Sequence, residues 1–343
     1  MDMYLDLKNT LLHIICKIVK ANGSNIANNA KVAMIAYPIA IMFNQMDSIL
    51  GDQLITQNDN MYTYRTYIES ILNYSCDALD TQLSAGLFYK DTYGNFEATA
   101  LDGHNQDFVK RANFVTGSRQ FDLLGSIHSD LSYHGKLLVN GFNLNIKLTY
   151  NKDSFCLISW DAEQYKLGML SASLFVKRVS VTKRQTGSCR GPTAIKGQVR
   201  MERVALKIFS IPTGTCLTKL QNVFLGQLLK LLIIGFVDST TFSGLNTSNP
   251  FSLKNYDINY AVLINEGAVI PAKLYTPSFG TSNFIKEYLC LVSITGKHLR
   301  DSGVVVSRDG YGAGYTLFTF DLTPDMEDGD HYNLILKKRK SKS

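Results

Sequence analysis

The sequence predicts a mainly β protein made of two antiparallel sandwich or jelly-roll halves. Three observations lead there. The 343 residues include 18 Tyr, 18 Phe and 25 Gly, a composition that favours pleated, half-buried surfaces joined by tight turns. Many short segments alternate apolar and polar residues with a period of two and are bounded by turn signals. Between Lys183 and Gly197 the alternation dissolves into "KRQTGSCRGPTAIKG", basic and glycine-rich around Pro192. That stretch reads as a linker between two halves of ordinary domain size.

The first predicted element is a strand over Thr10–Lys20. Leu12, Ile14, Cys16 and Ile18 share one face against His13 and Lys17, and Asn22-Gly23 follows as a turn. His13 is then an outward-facing side chain. The segment Tyr64–Leu83 is the prominent helix, since Tyr64, Ile68, Ile71, Leu72 and Leu79 recur at three- and four-residue spacing and Arg65–Glu69 is an i,i+4 pair. Residues His128–Tyr150 read as antiparallel strands, with Asn140-Gly141 in "LLVNGFNLNIKLTY" as the strongest short hairpin signal. Further strands are predicted at Leu167–Val181, Val199–Ile211, Val223–Val237, Tyr260–Ile270 and Tyr288–Ile294. The last is Tyr315–Leu322, with Thr316, Phe318, Phe320 and Leu322 on one apolar face. Pro324 removes a backbone donor and ends that ladder.

Composition also bounds function. Hydrophobic residues make up 45% and charged residues 19%, which describes a globular chain with a sizeable core. Five of the net +6 charges lie in the closing run "KKRKSKS", so the body is near neutral and offers no general phosphate-binding face. The six cysteines are scattered and form no CxxC pair, and no signal-peptide pattern precedes them. Reduced thiols in the cytosol or nucleus are expected, which makes the sequons at Asn22, Asn73 and Asn246 accidental. The longest apolar run, Leu231–Val237, is too short to cross a bilayer.

No catalytic constellation is legible. GxSxG, HExxH, the P-loop pattern and a strand-following GxGxxG are all missing. "GYGAG" at Gly310–Gly314 precedes a strand and opens no helix, so it reads as a flexible loop. The acidic stretch after Pro324 fails the EF-hand register: with Gly329 at the sixth position, the first is Pro324 and the twelfth Ile335. His331 has no partner at metal-ligand spacing, and His128, Asp130 and His134 lack a fourth ligand nearby. The sequence therefore assigns no catalytic residue, no cofactor and no metal.

Several stretches together resemble one family. They are "YTYRTYIESILNYSCDALDTQL" (Tyr62–Leu83), "NVFLGQLLKLLIIGFVD" (Asn222–Asp238), "NPFSLKNYDINYAVLINEGAVIPAK" (Asn249–Lys273), "KEYLCLVSITGK" (Lys286–Lys297) and "GYTLFTFDLTPDMEDGDHYNLI" (Gly314–Ile335). In this order they look like the hexon-like major capsid protein of Polinton (Maverick) elements and the related adintoviruses. The resemblance implies a double jelly roll with a few short helices: residues 1–182 as the first roll, 183–198 as linker, 199–336 as the second, and 337–343 as a basic disordered tail. It implies a structural, non-enzymatic subunit that forms a homotrimeric capsomer in an icosahedral lattice, meets a penton-type minor capsid protein and needs no membrane. Family chains continue past the "NLI" stretch with further strands, so the second roll is expected to be truncated here. Lys337, Lys338, Arg339, Lys340 and Lys342 form a short basic cluster of the nuclear-import type, with at most weak nucleic-acid contact. The expected location is the nucleus and the virion. A domesticated or decayed capsid-derived nuclear protein is the other reading.

Overall fold

The computed structural model describes residues 2–322 apart from 57–58, 102, 134–136, 139–142, 162, 182–202, 222, 225–228 and 266. The chain is mainly β, with several small antiparallel sheets and short helices. It forms two compact units: one of residues 1–69, 77–206 and 244–249, the other of 70–76, 207–243 and 250–343. The predicted linker at 183–198, the acidic corner after Pro324 and the basic tail fall outside the described residues.

The first unit contains, in chain order, β1 (Asp2–Lys20), β2 (Val32–Met34), α1 (Pro38–Ile41), β3 (Phe43–Leu50), β4 (Gln53–Leu54), most of α2 (Tyr62–Asn73) and α3 (Cys76–Asp80), then α4 (Gln106–Val115), β5 (Phe121–Ser126), β6 (Leu144–Tyr150), α5 (Asp153–Cys156), β7 (Leu157–Ser159) and β8 (Tyr165–Val181). Its largest sheet has the order β5-β1-β8, and smaller ones pair β4-β3-β6 and β2-β7, all antiparallel. Strand β1 holds to its sequence pattern. Leu12, Ile14, Cys16 and Ile18 are buried, while His13 faces away with Nε2 3.5 Å from Asp122. Burying each such aliphatic side chain stabilises the fold by about 1.5–3 kcal/mol.

From Val32 to Phe43 the chain is buried continuously and shows no alternation, because β2, α1 and the start of β3 are covered on all sides. Helix α4 is fixed at its start by Asn105, whose side chain accepts from the Phe108 backbone N–H at 3.3 Å. Phe108, Ala112 and Val115 form its buried stripe, joined by Arg111.

The predicted helix over Tyr64–Leu83 is two helices, α2 and α3, broken after Asn73. The predicted hairpin is corrected. Strand β6 exists, but it pairs with β3 from Phe43↔Tyr150 to Leu50↔Leu144, and Leu138 makes an isolated bridge to Leu5. The Asn140-Gly141 turn itself lies outside the described residues. Register followed the apolar partner available on β3, which no local turn signal encodes.

The second unit contains β9 (Leu231–Gly235), α6 (Ser239–Phe242), β10 (Ala261–Asn265), β11 (Ala268–Tyr275), α7 (Ile285–Ile294), α8 (Arg308–Gly312) and β12 (Leu317–Asp321). Strands β10 and β11 form a hairpin turning through Gly267 at φ 89°, and β12 pairs with β9 from Leu317↔Gly235 to Asp321↔Leu231. Tyr275, Phe318 and Phe320 centre the core, with Leu232, Ile234 and Phe236 against them. The Tyr275 hydroxyl donates to the Thr319 carbonyl at 2.6 Å.

Four expectations are overturned in the second half of the chain. Tyr288–Ile294 belongs to α7, in which Glu287 and Leu291 are buried one turn apart; an apolar run of that length carries both periods equally. Residues 203–211 have an alternating sequence but form no ladder among the described residues and are largely exposed, since a strand needs a partner as well as a pattern. "GYGAG" is not a free loop: α8 runs into it, and Gly310 and Tyr311 are buried. Strand β12 was expected to have one apolar face, yet Leu317, Phe318, Thr319 and Phe320 are all buried, so both faces are covered.

Candidate functional site

Two buried charge clusters and one open strand edge are the features of the first unit with functional potential. The first cluster grows from α2. Its helical spacing puts Arg65 and Glu69 on one face, with Arg65 Nε donating to Glu69 Oε1 at 2.9 Å. Arg65 Nη2 donates to Asp130 Oδ1 at 2.5 Å. His128, only 1% exposed, places Nδ1 3.1 Å from Glu69 Oε2 and beside the Tyr133 hydroxyl, and Nε2 3.3 Å from the Tyr37 hydroxyl. Its backbone N–H donates to the Tyr62 hydroxyl at 3.2 Å.

Burial pushes the Glu69 carboxyl up, but the His128 hydrogen bond and the Arg65 charge outweigh it and hold the group below its ordinary value. Burial also opposes the Arg65 charge, and Glu69 and Asp130 more than offset that. For Tyr62, burial dominates and pushes the phenol up to about 12. A Glu–His pair can in principle relay protons. Here both ring nitrogens of His128 are engaged and the ring is sealed from solvent, so the arrangement cross-links α2 to the segment after β5.

The second cluster is centred on Asp91. Its Oδ1 accepts from Arg111 Nη2 at 2.5 Å and from Asn105 Nδ2 at 2.8 Å, and its Oδ2 accepts from Asn249 Nδ2 at 2.8 Å. Arg111 also donates to the carbonyls of Met34, at 2.8 Å, and Tyr89. Arg111 and Asp91 are 1% and 2% exposed. A charge so deep is tolerated because each nitrogen of the fork donates to an acceptor and one of those acceptors is the Asp91 carboxylate. The cluster ties residues 244–249 to the unit; Ser159 N to the Asn246 carbonyl (2.8 Å) and Ser248 Oγ to Glu97 (2.9 Å) add to the attachment.

The structure brings His128 and Asp130 of the sequence-level trio into one network through Glu69 and Arg65, while His134 lies outside the described residues. Among the described residues no group of three or more His, Cys, Asp and Glu is placed to hold a metal. Lys337, Lys338, Arg339, Lys340 and Lys342 also lie outside them. Sequence reasoning found the Arg65–Glu69 pair but missed Asp91, Asn105, Arg111 and Asn249, which are up to 158 positions apart and share no motif. All five described cysteines are free thiols.

Strand β8 is the third feature. Among the described residues it pairs with β1 alone, so its other edge is unpaired. Across the ladder Leu12↔Leu174, Ile14↔Ala172 and Cys16↔Met169 are neighbours. The β1 members are buried, but Leu174 and Met169 are 41% and 43% exposed. The face that is sealed over β1 is thus open over β8. Leu170, Phe175 and Val176 are exposed as well, and a one-residue bulge sets Leu170 outside the β1 ladder. A long edge with apolar side chains is a template for a further strand. Lys166, Lys177 and Arg178 flank it, with Lys177 Nζ 3.3 Å from Asp6.

Among the described residues no helix is long and apolar enough to cross a membrane. No family model matches the chain. It is similar to an uncharacterized protein of Caenorhabditis elegans, 23% identical over 350 residues that span 97% of this chain and 80% of that one.

Proposed function

We propose that the chain is a structural capsid subunit, a hexon-like major capsid protein of the Polinton/Maverick (adintovirus-like) kind. In this reading the two units are jelly rolls, the working form is a homotrimeric capsomer within an icosahedral lattice, and the chain acts by contact and not by chemistry. The observation that carries it is the β8 edge, a 17-residue strand that has no second partner strand among the described residues and whose exposed Met169, Leu170, Leu174 and Phe175 suit a subunit made to be covered by others. The buried ionic clusters support it too, since their charges are spent on fixing the scaffold. Light scattering on the purified full chain, with negative-stain microscopy, tests this: trimers and shell fragments are expected, and a monomer at high concentration overturns it.

A second reading, a domesticated capsid-derived nuclear protein, draws on the basic run Lys337–Lys342. Deleting residues 337–343 from a fluorescent fusion should then move it from nucleus to cytoplasm. An unchanged distribution refutes import through the tail.

A further inference from the structure

We propose that the open edge of β8 takes an extended segment of a partner protein, apolar in its middle and acidic at its ends, as a further strand. The warrant joins the shape of the edge to its charge. From Gln164 to Met201 the sequence holds eight lysines and arginines and no aspartate or glutamate. Set against the net charge of +6, these eight and the five of the closing run leave −7 on the rest of the chain. The near-neutral body thus conceals one strongly basic segment. Its described part is β8, which carries Lys166, Lys177 and Arg178 and no acidic residue. Lys177 is met by Asp6 at 3.3 Å. Lys166 and Arg178 are exposed and have no ion-pair partner among the described residues.

Between those cations β8 offers what an added strand needs. Among the described residues it pairs with β1 alone, which leaves backbone N–H and C=O groups directed to its other side. The stretch from Met169 to Val176 is roughly 26 Å long at about 3.3 Å per residue, with Lys166 before it and Lys177 and Arg178 after it. Met169 and Leu174 lie on the face shared with Cys16 and Leu12. Phe175 lies on the opposite face with Ser171 and Ser173, its ring 5.9 Å from that of His13. A strand laid on this edge therefore sets apolar side chains beside Met169 and Leu174 and polar ones beside the serines. Main-chain hydrogen bonds supply the affinity of such a contact, and the alternating side chains supply its specificity.

Charge chooses the occupant. A second β8 would bring its own cations towards Lys166 and Arg178, and like charges placed opposite one another weaken a strand pair. Carboxylates at the ends of a partner strand reverse that sign. Nucleic acid fits less well, because its affinity scales with the number of phosphates neutralised. Strand β8 sets only three cations around an apolar stretch, and a nucleic acid would leave the backbone edge unpaired. Salt screens the attraction between opposite charges, so the contact loosens as ionic strength rises. The inference rests on the strand and its charge and holds whether or not the chain builds a capsid.

The test is fluorescence anisotropy of the full chain with a labelled peptide of about ten residues, a strand's length, alternating valine and threonine between aspartate ends. One control peptide has lysine ends. Another keeps the aspartates but has a central proline, which lacks the N–H that edge pairing uses. The acid-ended peptide should bind the wild-type chain at least about tenfold more tightly than either control. In the double variant Lys166→Glu, Arg178→Glu the order should reverse, with the lysine-ended peptide tighter than the acid-ended one, and that reversal also shows the edge to be intact. Equal affinity for acid and lysine ends, undiminished binding of the proline peptide, or an unreversed order in a double variant with native circular dichroism overturns the inference. The three peptides on the wild-type chain decide it even where the variant misfolds. A labelled oligothymidylate that binds more tightly than the acid-ended peptide assigns the edge to nucleic acid, and self-association that excludes the peptide assigns it to a second copy; either result overturns the proposal.

Discussion

Removing the Asp91 carboxylate should destabilise the first unit more than any other single truncation of its polar groups. Asp91→Ala strips the partner from Arg111 Nη2, at 2.5 Å, and from the side-chain amides of Asn105 and Asn249, both at 2.8 Å. With Arg111 1% exposed, water cannot replace the lost acceptor. A buried charge left without its partner costs about 3–5 kcal/mol, a large share of the roughly 5–15 kcal/mol that holds a domain together. For a unit of this size that lowers Tm by roughly 6–20 °C. The paired change Asp91→Leu with Arg111→Met removes both charges and should recover at least about 2 kcal/mol relative to the sum of the single changes, since matched apolar replacement of a buried ion pair is near neutral. Recovery is partial because Asn105 and Asn249 still lose an acceptor, at about 1–3 kcal/mol each. Urea unfolding followed by Trp160 fluorescence reads this unit, because Trp160 is the single tryptophan and donates to the Glu97 carbonyl at 3.0 Å. A cost under about 1 kcal/mol for D91A, or additivity of the two changes within about 0.5 kcal/mol, refutes the reasoning.

Other outcomes follow from the same geometry. Cys16 and Cys156 are buried; burial pushes the Cys16 thiol up to about 12, and burial, then Asp153 and Cys16, push Cys156 higher still. A thiol reagent near pH 8 should modify the exposed Cys76 and Cys216 and reach Cys16 and Cys156 only after denaturant is added, as mass spectrometry of labelled peptides will show. Because Glu69 is held below its ordinary value, the fold gains stability from its ionised form above the unfolded carboxyl pKa of about 4.3 and loses that gain as pH falls through the lower folded value. Glu69→Gln should lower stability at pH 7 and flatten the decline below about pH 5; parallel curves for both proteins would contradict this. At Gly312 an added Cβ would lie 2.8 Å from Phe284 Cζ, in a ring cluster with Phe279 and Tyr311. Gly312→Ala should therefore lower Tm, with overpacking of about 1–3 kcal/mol exceeding the roughly 0.5–1 kcal/mol gained in helix propensity. A raised Tm would show that the ring yields.

What was legible in the sequence is what local periodicity decides. Strand β1 alternates because one of its faces is buried and the other is not, and the neighbours His13 and Ile14 declare this by residue type alone. The pair Arg65–Glu69 was visible for the same reason, being one helical turn apart. Partner choice was not visible. Strand β6 pairs with β3, about a hundred residues away, although its own flank carried the better turn signal. The Asp91 cluster draws on α4 and on a segment past residue 244, and no spacing rule links an aspartate at 91 to an asparagine at 249. Uniformly apolar stretches failed differently: Tyr288–Ile294 satisfies the strand and helix periods alike, and packing around Leu291 decides for the helix. Strand β8 is the instructive case between these. Its extent was read correctly from alternation, but alternation usually means one face buried, and here Leu174 and Met169 lie on the face shared with Ile14 and remain open.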